Sequence, residues 1–519
     1  MGGFVLTSPE AVGIRRESIE EFLAQCRRKG LELHRLMILR HGKCCVKMTW
    51  APYSEDDLHP LYSFSKSLTA TAIGFARQEG LLSLDEKIAD IFPEELPEHP
   101  SENLKECTIH HLLCMSCGQE TEIRDSGEDW LKHFFAHPFL HRPGTFYKYN
   151  TAGTNVLAAI IRKRTGQQVT EYLKPRLFEP LGMGDVPCAA LPDTTRTQIG
   201  GAGMKMRLED MARFTQFMLQ DGMWEGKVLL KDWFSARAGI KQMETAGDSE
   251  GHIEDWAQGY GYQCWMGKRP GSFRADGAFG QFGLVYPDLD LCVIISAATE
   301  QTQTLLDKVN DCLLPGVGAV SDNEPADSKL PVEEADQETA PGSAAEEADQ
   351  ENALRGAIIR RYALPALQSC RNPVREKKLE GAVYRTDFPE QMAGIQRMIG
   401  GAGLFGVPDD RHIGSLSFDF GEDEVRLMLT EDGIEKTLTC ALDGTFALSE
   451  IDGIRYAAAA RWRSLTKLEA EIRRLDAMSG VRLIFCFEDD LLRMDADDTL
   501  MTDGGLGMVY RPLTYFREA

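Results

Sequence analysis

Two periods of apolar and polar residues run along this chain, and the change from one to the other divides it. In residues 1–317 the segments RESIEEFLAQCRRKG (16–30) and LEDMARFTQFMLQDG (208–222) space apolar side chains three and four apart, which predicts amphipathic helices. Short apolar runs such as HRLMILRHGK (34–43) and LDLCVIISAA (289–298) predict strands among them. The stretch RADGAFGQFGLVYPDLDLCVIIS, from Arg274, reads as a glycine-punctuated hairpin that turns back at Pro287. Beyond residue 354 the pattern changes. An amphipathic opening, ALRGAIIRRYALPALQS (353–369), is followed by GSLSFDFG, EVRLMLTE, KTLTCALDG and VRLIFCFEDD, alternating segments bounded by Gly and Asp turns. The expected fold class is α+β, with a mixed domain at 1–317 and a smaller β-rich domain at 355–519.

Residues 318–354 separate the two. They are rich in Pro, Ala, Glu and Asp, and EEADQETA from Glu333 returns as EEADQENA from Glu346. Such a tract buries too little apolar surface to offset its ordering entropy, so it reads as an acidic linker, with a solvated spacer weighed against a binding repeat. The whole chain of 519 residues carries 57 Lys and Arg against 80 Asp and Glu, a formal charge of −23. That balance opposes nucleic acid and anionic membrane as partners and favours small or neutral substrates. No run approaches the ~18 apolar residues of a membrane span. MGGFVLTSPEAVGIRRESIEEF shows no basic head before an apolar core, and Leu6 stands where a myristoylation signal has Ser or Thr. The 13 cysteines are scattered, with Cys44 and Cys45 adjacent, which suits reduced thiols in a cytoplasm.

Chemistry first suggests itself at Ser63-Phe64-Ser65-Lys66, at the head of the apolar run that continues to Leu84. On a helix, Ser63 and Lys66 lie one turn apart on one side. The helix dipole and partial burial both disfavour an ammonium there, and a neutral amine beside a serine hydroxyl is an activated nucleophile. The competing reading is that Ser63 or Ser65 only caps the helix. The same spacing recurs at Ser464-Leu465-Thr466-Lys467, but polar residues follow and nothing apolar buries the lysine, so that copy is rejected.

Two later stretches separate the copies. PGTFYKYNTAGTNVLAAIIRKRTG, from Pro143, has a turn and then Tyr149-Asn150-Thr151 leading into an apolar helix. Tyr149 near a cation is a candidate general base, and Asn150 a candidate partner for the lysine or for a substrate carbonyl. In the hairpin from Arg274, Gly277 and Gly280 would let a substrate approach the backbone.

The order of these pieces, with GLLSLDEKIADIFPE (80–94), TIHHLLCMSCGQ (108–119) and GGAGMKMRLEDMARFTQFML (200–219), resembles the serine β-lactamase-related hydrolases: class C β-lactamases, penicillin-binding DD-peptidases and related esterases and amide hydrolases. The resemblance covers residues 8–299 and implies a β-lactamase/transpeptidase-like antiparallel sheet flanked by helices. It implies Ser63 as the acylated nucleophile, Lys66 as the residue taking its proton, and Tyr149 as completing the relay. The oxyanion donors it implies are the backbone N–H groups of Ser63 and Ala278, and no metal or organic cofactor is called for. Where the family has Lys-Thr-Gly or His-x-Gly, this chain has Ala275-Asp276-Gly277. The cation that helps bind a substrate carboxylate is missing, which points to the esterase and amidase branches ahead of true β-lactamases. β-Lactamase, D-aminopeptidase or DD-peptidase activity is the alternative, and a non-catalytic binding or scaffold role is a third reading. Either Asp276 and Arg274 select an amine-bearing substrate, or Asp276 is a turn residue.

Trp130 and Phe134, and Tyr260, Tyr262 and Trp265, are candidate pocket aromatics, with core packing as the competing reading. Cys114 and Cys117 have no second pair at metal spacing and read as buried thiols. Gly401-x-Gly403-x-x-Gly406 is followed at once by Pro408 and two aspartates, so it reads as a loop and not a dinucleotide fingerprint.

Overall fold

The computed structural model describes residues 3–121, 129–246, 254–318, 356–386, 413–478, 480–498 and 513–517. The acidic repeat and the 401–406 glycine motif lie outside these residues. The chain divides into two units: residues 1–49 with 61–361, and residues 50–60 with 362–519. A short piece of the N-terminal sequence thus groups with the second unit.

In the first unit the principal elements are α1 (Arg16–Arg28), β1 (Glu32–Arg40), β2 (Lys43–Ala51), α2 (Ser65–Gln78), α3 (Thr151–Thr165), α4 (Leu208–Leu219), β3 (Trp265–Met266), β4 (Phe273–Gly277), β5 (Gln281–Tyr286), β6 (Leu291–Ala298), α5 (Thr302–Lys308) and β7 (Ile358–Ala363). The strands form one sheet in the order β7-β2-β1-β6-β5-β4-β3. Pairing is antiparallel between β2 and β1, β1 and β6, β6 and β5, β5 and β4, and β4 and β3. β5 is buried along its whole length and β6 along all but its last residue, as expected of strands covered on both faces. α4 packs on β1, β5 and β6, while α1 packs on β1 and on the Val309–Leu313 turn.

The stretch from Arg274 forms two successive hairpins where the sequence suggested one. β4 turns at residues 278–280 into β5, and β5 turns at Pro287–Leu289 into β6. Gly280, at φ +92°, makes the first turn, a conformation L side chains adopt only under strain. The amphipathic stretch at 353–369 supplies β7, an edge strand beside β2.

α2 is buried from Ser65 to Ala76 on every side, so its apolar run is a core helix and not a surface one. Gly74 lets the Trp233 ring lie against it, since a Cβ there would sit 2.8 Å from the indole.

The second unit is β-rich as expected. Its strands β8 (Val383–Arg385), β9 (Ile413–Phe420), β10 (Glu424–Glu431), β11 (Ile434–Ala441), β12 (Ala447–Ile451), β13 (Ile454–Trp462), β14 (Lys467–Arg474), β15 (Gly480–Glu488), β16 (Leu491–Asp498) and β17 (Leu513–Arg517) form a sheet ordered β11-β10-β9-β8-β17-β16-β15-β14-β13-β12. The sheet closes as a barrel where Ala441 pairs with Ala459. Alternation works as the sequence suggested: Val425, Leu427 and Leu429 of β10 are buried with Leu416, Phe418, Leu438 and Phe485. Residues 50–60 join this unit through chemistry of their own. The Leu364 amide donates to the Ala51 carbonyl (2.7 Å), Trp50 stacks on Tyr362, and Asp57 pairs with Arg455.

Candidate active site

Ser63 lies in the single 3-10 turn Tyr62–Phe64 that runs into α2. No side chain caps this turn or the helix, so the capping alternative falls away. Ser65 is committed elsewhere, accepting from the Met204 amide at 3.2 Å. Lys66, only 1 % exposed, brings its Nζ to 3.0 Å from Ser63 Oγ, 3.1 Å from Thr151 Oγ1 and 2.7 Å from the Gly201 carbonyl oxygen. Three partners suit both forms of the amine. An ammonium donates to all three; a neutral amine donates to Gly201 and Thr151 and keeps a lone pair for the Ser63 hydroxyl.

The second stretch contributes differently from expectation. Tyr149 places its ring face 4.8 Å from Lys66 Nζ and is itself stacked on Trp265, with centroids 5.6 Å apart and planes at 18°. Asn150, however, does not hold the lysine or open toward a substrate. Its Oδ1 accepts from the Gly153 amide (3.0 Å), capping α3, and its Nδ2 donates to Gln119 Oε1 (2.8 Å). The neighbouring Thr151 takes the lysine. Asn150 is 1 % exposed because a cap facing the core has no access to solvent.

At the third stretch, Gly277 is required by the chain itself. A side chain there would run into the Leu61 carbonyl, two residues before Ser63. Gly280 likewise serves the β4–β5 turn, so neither glycine is explained by substrate approach. Gly277 brings the end of β4 beside the nucleophile turn, and Ala278, which is exposed, follows it. Two bulky residues beside the expected oxyanion donors have left-handed backbones: Tyr62 at φ +47° and Phe279 at φ +65°. Their rings meet edge to face at 5.4 Å. Such strain costs of order 1–3 kcal/mol per residue and persists where packing over-determines it, as at functional turns.

Asp276 is not presented to an amine. Its carboxylate accepts from Arg274 Nε at 2.7 Å, and the side chain is 9 % exposed. Burial pushes this carboxyl up; Arg274 and a hydrogen bond from Trp256 oppose that. Arg274 in turn donates to the Met266 carbonyl and lies over the Trp256 ring, so its cation is spent inside the fold.

Trp130 belongs to the core. It is 3 % exposed and its Nε1 donates to Asp193 at 3.1 Å. Burial pushes the Asp193 carboxyl up, but donors from Trp130, Thr197 and Thr195 hold it below the usual range. Trp265 packs with Tyr147, Tyr260 and Met115 and supports Tyr149 from behind. Cys114 and Cys117 are buried thiols, the latter pushed up to about 11 by burial, and no His, Cys, Asp and Glu cluster suited to a metal occurs among the described residues.

Three contributors escaped the sequence reading. Gly201 was visible only as part of a matching block; a side chain there would lie 2.5 Å from Thr151 Cγ2, so the glycine lets its carbonyl reach Lys66. Thr151 was read only as the start of an apolar helix and not as a ligand of the lysine. Gln263 carried no signal at all. At φ +57° and 2 % exposed, it donates to the Leu112 and Leu113 carbonyls and accepts from Thr154, while its own carbonyl accepts from Ser67. One residue, through its side chain and its carbonyl, thereby ties together α2, α3 and the 108–119 stretch.

The chain is similar in sequence to several known hydrolases. The 6-aminohexanoate-dimer hydrolase of Paenarthrobacter ureafaciens is 25% identical over 278 residues, covering 50% of this chain and 70% of that protein. Esterase EstB of Burkholderia gladioli is 28% identical over 177 residues, covering 29% of this chain and 45% of the esterase. A D-aminopeptidase of Brucella anthropi is 24% identical over 217 residues, covering 35% and 41%. The chain thus spans less than half the length of the latter two. The beta-lactamase family model matches residues 16–310, more than half of the sequence and every residue placed around Lys66 above, and the chain belongs to that family.

Proposed function

We propose that this protein is a serine hydrolase that forms an acyl-enzyme on Ser63 and hydrolyses a small ester or amide. The observation that carries this reading is the buried Lys66 Nζ, 3.0 Å from Ser63 Oγ and held by Gly201 and Thr151. In the proposed cycle Ser63 Oγ bonds to the substrate carbonyl carbon as its proton passes to the neutral Lys66 amine. The Ser63 and Ala278 amides receive the oxyanion, a service worth about 100- to 1000-fold per donor in comparable sites. The carbonyl–heteroatom bond then breaks, and the leaving group takes a proton through Tyr149 and Lys66. Water then attacks the ester so formed, the bond from the carbonyl carbon to Ser63 Oγ breaks to release the acid, and a proton from the water returns to Ser63 Oγ.

Substrate class follows from the third stretch. With Arg274 and Asp276 paired to each other, this edge offers no uncommitted cation for the carboxylate of a penicillin or a peptide terminus. Neutral acyl groups fit better, which favours esters and linear amides over β-lactams. No helix of the described residues is long and apolar enough to cross a membrane. Each of the thirteen cysteines is a free thiol, which supports a cytoplasmic setting as part of the same proposal.

Labelling with a fluorophosphonate probe tests the reading. The wild type labels on Ser63 and hydrolyses short-chain p-nitrophenyl esters, while Ser63→Ala does neither. Failure of the wild type to label and to turn over esters, β-lactams, D-amino-acid peptides and linear amides would leave the non-catalytic binding role in its place.

A further inference from the structure

Tyr149 stands in the loop just before the Asn150 cap of α3, so the direction of its ring is set by neighbours and not by the helix. Two neighbours meet that ring. Lys66 Nζ lies 4.8 Å from its centroid, and the Trp265 indole stacks on it at 5.6 Å with the planes 18° apart. Trp265 is itself held. Tyr260 meets it edge to face at 4.9 Å and 85°, Tyr147 at 6.0 Å and 65°, and its backbone pairs with Arg274 of β4. At 5 % exposed it has little surface to offer a substrate.

The segment that carries Trp265 is anchored to both helices of the site. Ser67, next to Lys66 in α2, donates from its Oγ to the Gln263 carbonyl at 2.7 Å. Thr154, one turn along α3 from Thr151, donates from its Oγ1 to Gln263 Oε1 at 2.8 Å. Gln263 Nε2 donates onward to the Leu112 and Leu113 carbonyls. The indole is therefore placed relative to the same two helices that supply Lys66 and Thr151.

We propose that Trp265 is a positioning residue for proton transfer to the leaving group: its stack fixes the ring plane of Tyr149, and Gln263 holds that stack in register with α2 and α3. This rests on the hydrolase reading, in which the leaving group takes its proton through Tyr149. A ring free to swing carries its hydroxyl off that line, and a misplacement of ~1 Å costs on the order of 100-fold in comparable sites. The cost falls only on leaving groups that need the proton. A p-nitrophenolate departs as an anion, whereas an alkoxide must be protonated.

Methyl butyrate and p-nitrophenyl butyrate share an acyl group and differ in that need, and kcat/KM compares their acylation. Tyr149→Phe, which lacks the hydroxyl, gives the reference pattern: a loss on the methyl ester that far exceeds the loss on the p-nitrophenyl ester. Trp265→Leu is expected to reproduce it, losing about 100-fold on the methyl ester and under about threefold on the other. Trp265→Phe keeps a stacking ring and holds both rates within about threefold. Circular dichroism checks folding. Should Trp265→Leu fail to fold, Thr154→Val, which removes one anchor of Gln263, shows the same selective loss at about tenfold. Equal losses on the two esters, a rise in KM with kcat unchanged, or no rescue by phenylalanine overturns the inference. A wild type that is not labelled on Ser63 by a fluorophosphonate, or that turns over neither ester, overturns the hydrolase reading and this inference with it. Labelling of the wild type leaves the ester comparison to decide on Trp265 alone.

Discussion

The three partners of Lys66 make distinct demands on the residues that supply them. Lys66→Ala removes the proton acceptor and is expected to lower kcat by about a thousandfold with little change in KM, the usual scale for a general base. Thr151→Val keeps the shape and removes one hydrogen bond, so steady-state kinetics should show a loss of about tenfold. Gly277→Ala drives a methyl into the Leu61 carbonyl. The β4 end and the nucleophile turn must then separate, and kcat should fall at least as far as for loss of an oxyanion donor, about 100-fold, while the fold survives. A fully active Gly277→Ala enzyme would show that the close approach has no part in the chemistry. At this scale the Ser63–Lys66 pairing was readable in advance, because one helical turn decides it. Gly201 was not, because its carbonyl comes from 135 residues away.

Short elements around the site are held by side chains that never meet a substrate. Asn150→Ala strips the cap of α3 and the bond to Gln119, and thermal or urea unfolding should report a loss of about 1–2 kcal/mol. His111 acts similarly on the helix Ile109–Leu113. Its Nδ1 accepts from the Thr108 amide (3.1 Å), and the Thr108 hydroxyl lies 2.9 Å away, so the neutral ring is the one that fits. Burial, with His110 adding to it, pushes the His111 pKa down to about 4, against opposition from Asp85. Between pH 6.5 and 4 the unfolded chain therefore binds a proton that the folded chain refuses. The stability His111 provides is complete above pH 6.5 and fades as the pH falls toward 4. Urea midpoints measured from pH 7 to 4.5 should show this decline, and it should flatten in His111→Gln. Element types were legible from periodicity, including the β-rich second unit. The double hairpin after Arg274 was not, since Gly277 and Gly280 read equally well as punctuation inside one strand and as a turn between two.

Across the whole molecule the formal charge of −23 biases what reaches the cleft. Neutral esters should react faster than isosteres bearing a carboxylate, on the order of tenfold at low ionic strength, and the gap should narrow as salt screens the field. Measuring kcat/KM for such a pair at two salt concentrations separates this effect from the local pairing of Arg274 and Asp276, which salt leaves in place because both groups are buried. The division into units also emerges only here. Residues 50–60 precede the nucleophile turn in sequence, yet Trp50, Tyr53 and Asp57 find their partners among Tyr362, Leu364, Ala457, Arg455 and Leu475.

Features that depend on neighbours along the chain were legible in advance: helix and strand periods, the one-turn reach from Ser63 to Lys66, the order of the family's stretches, and the absence of a lysine at Ala275. What the tertiary structure decided was how side chains with several possible partners chose among them. Asn150 went to a helix cap, Thr151 and Gly201 to the lysine, Asp276 to Arg274, Trp130 to Asp193. Burial settled these choices, because a polar atom removed from water must take the partner that packing brings within reach.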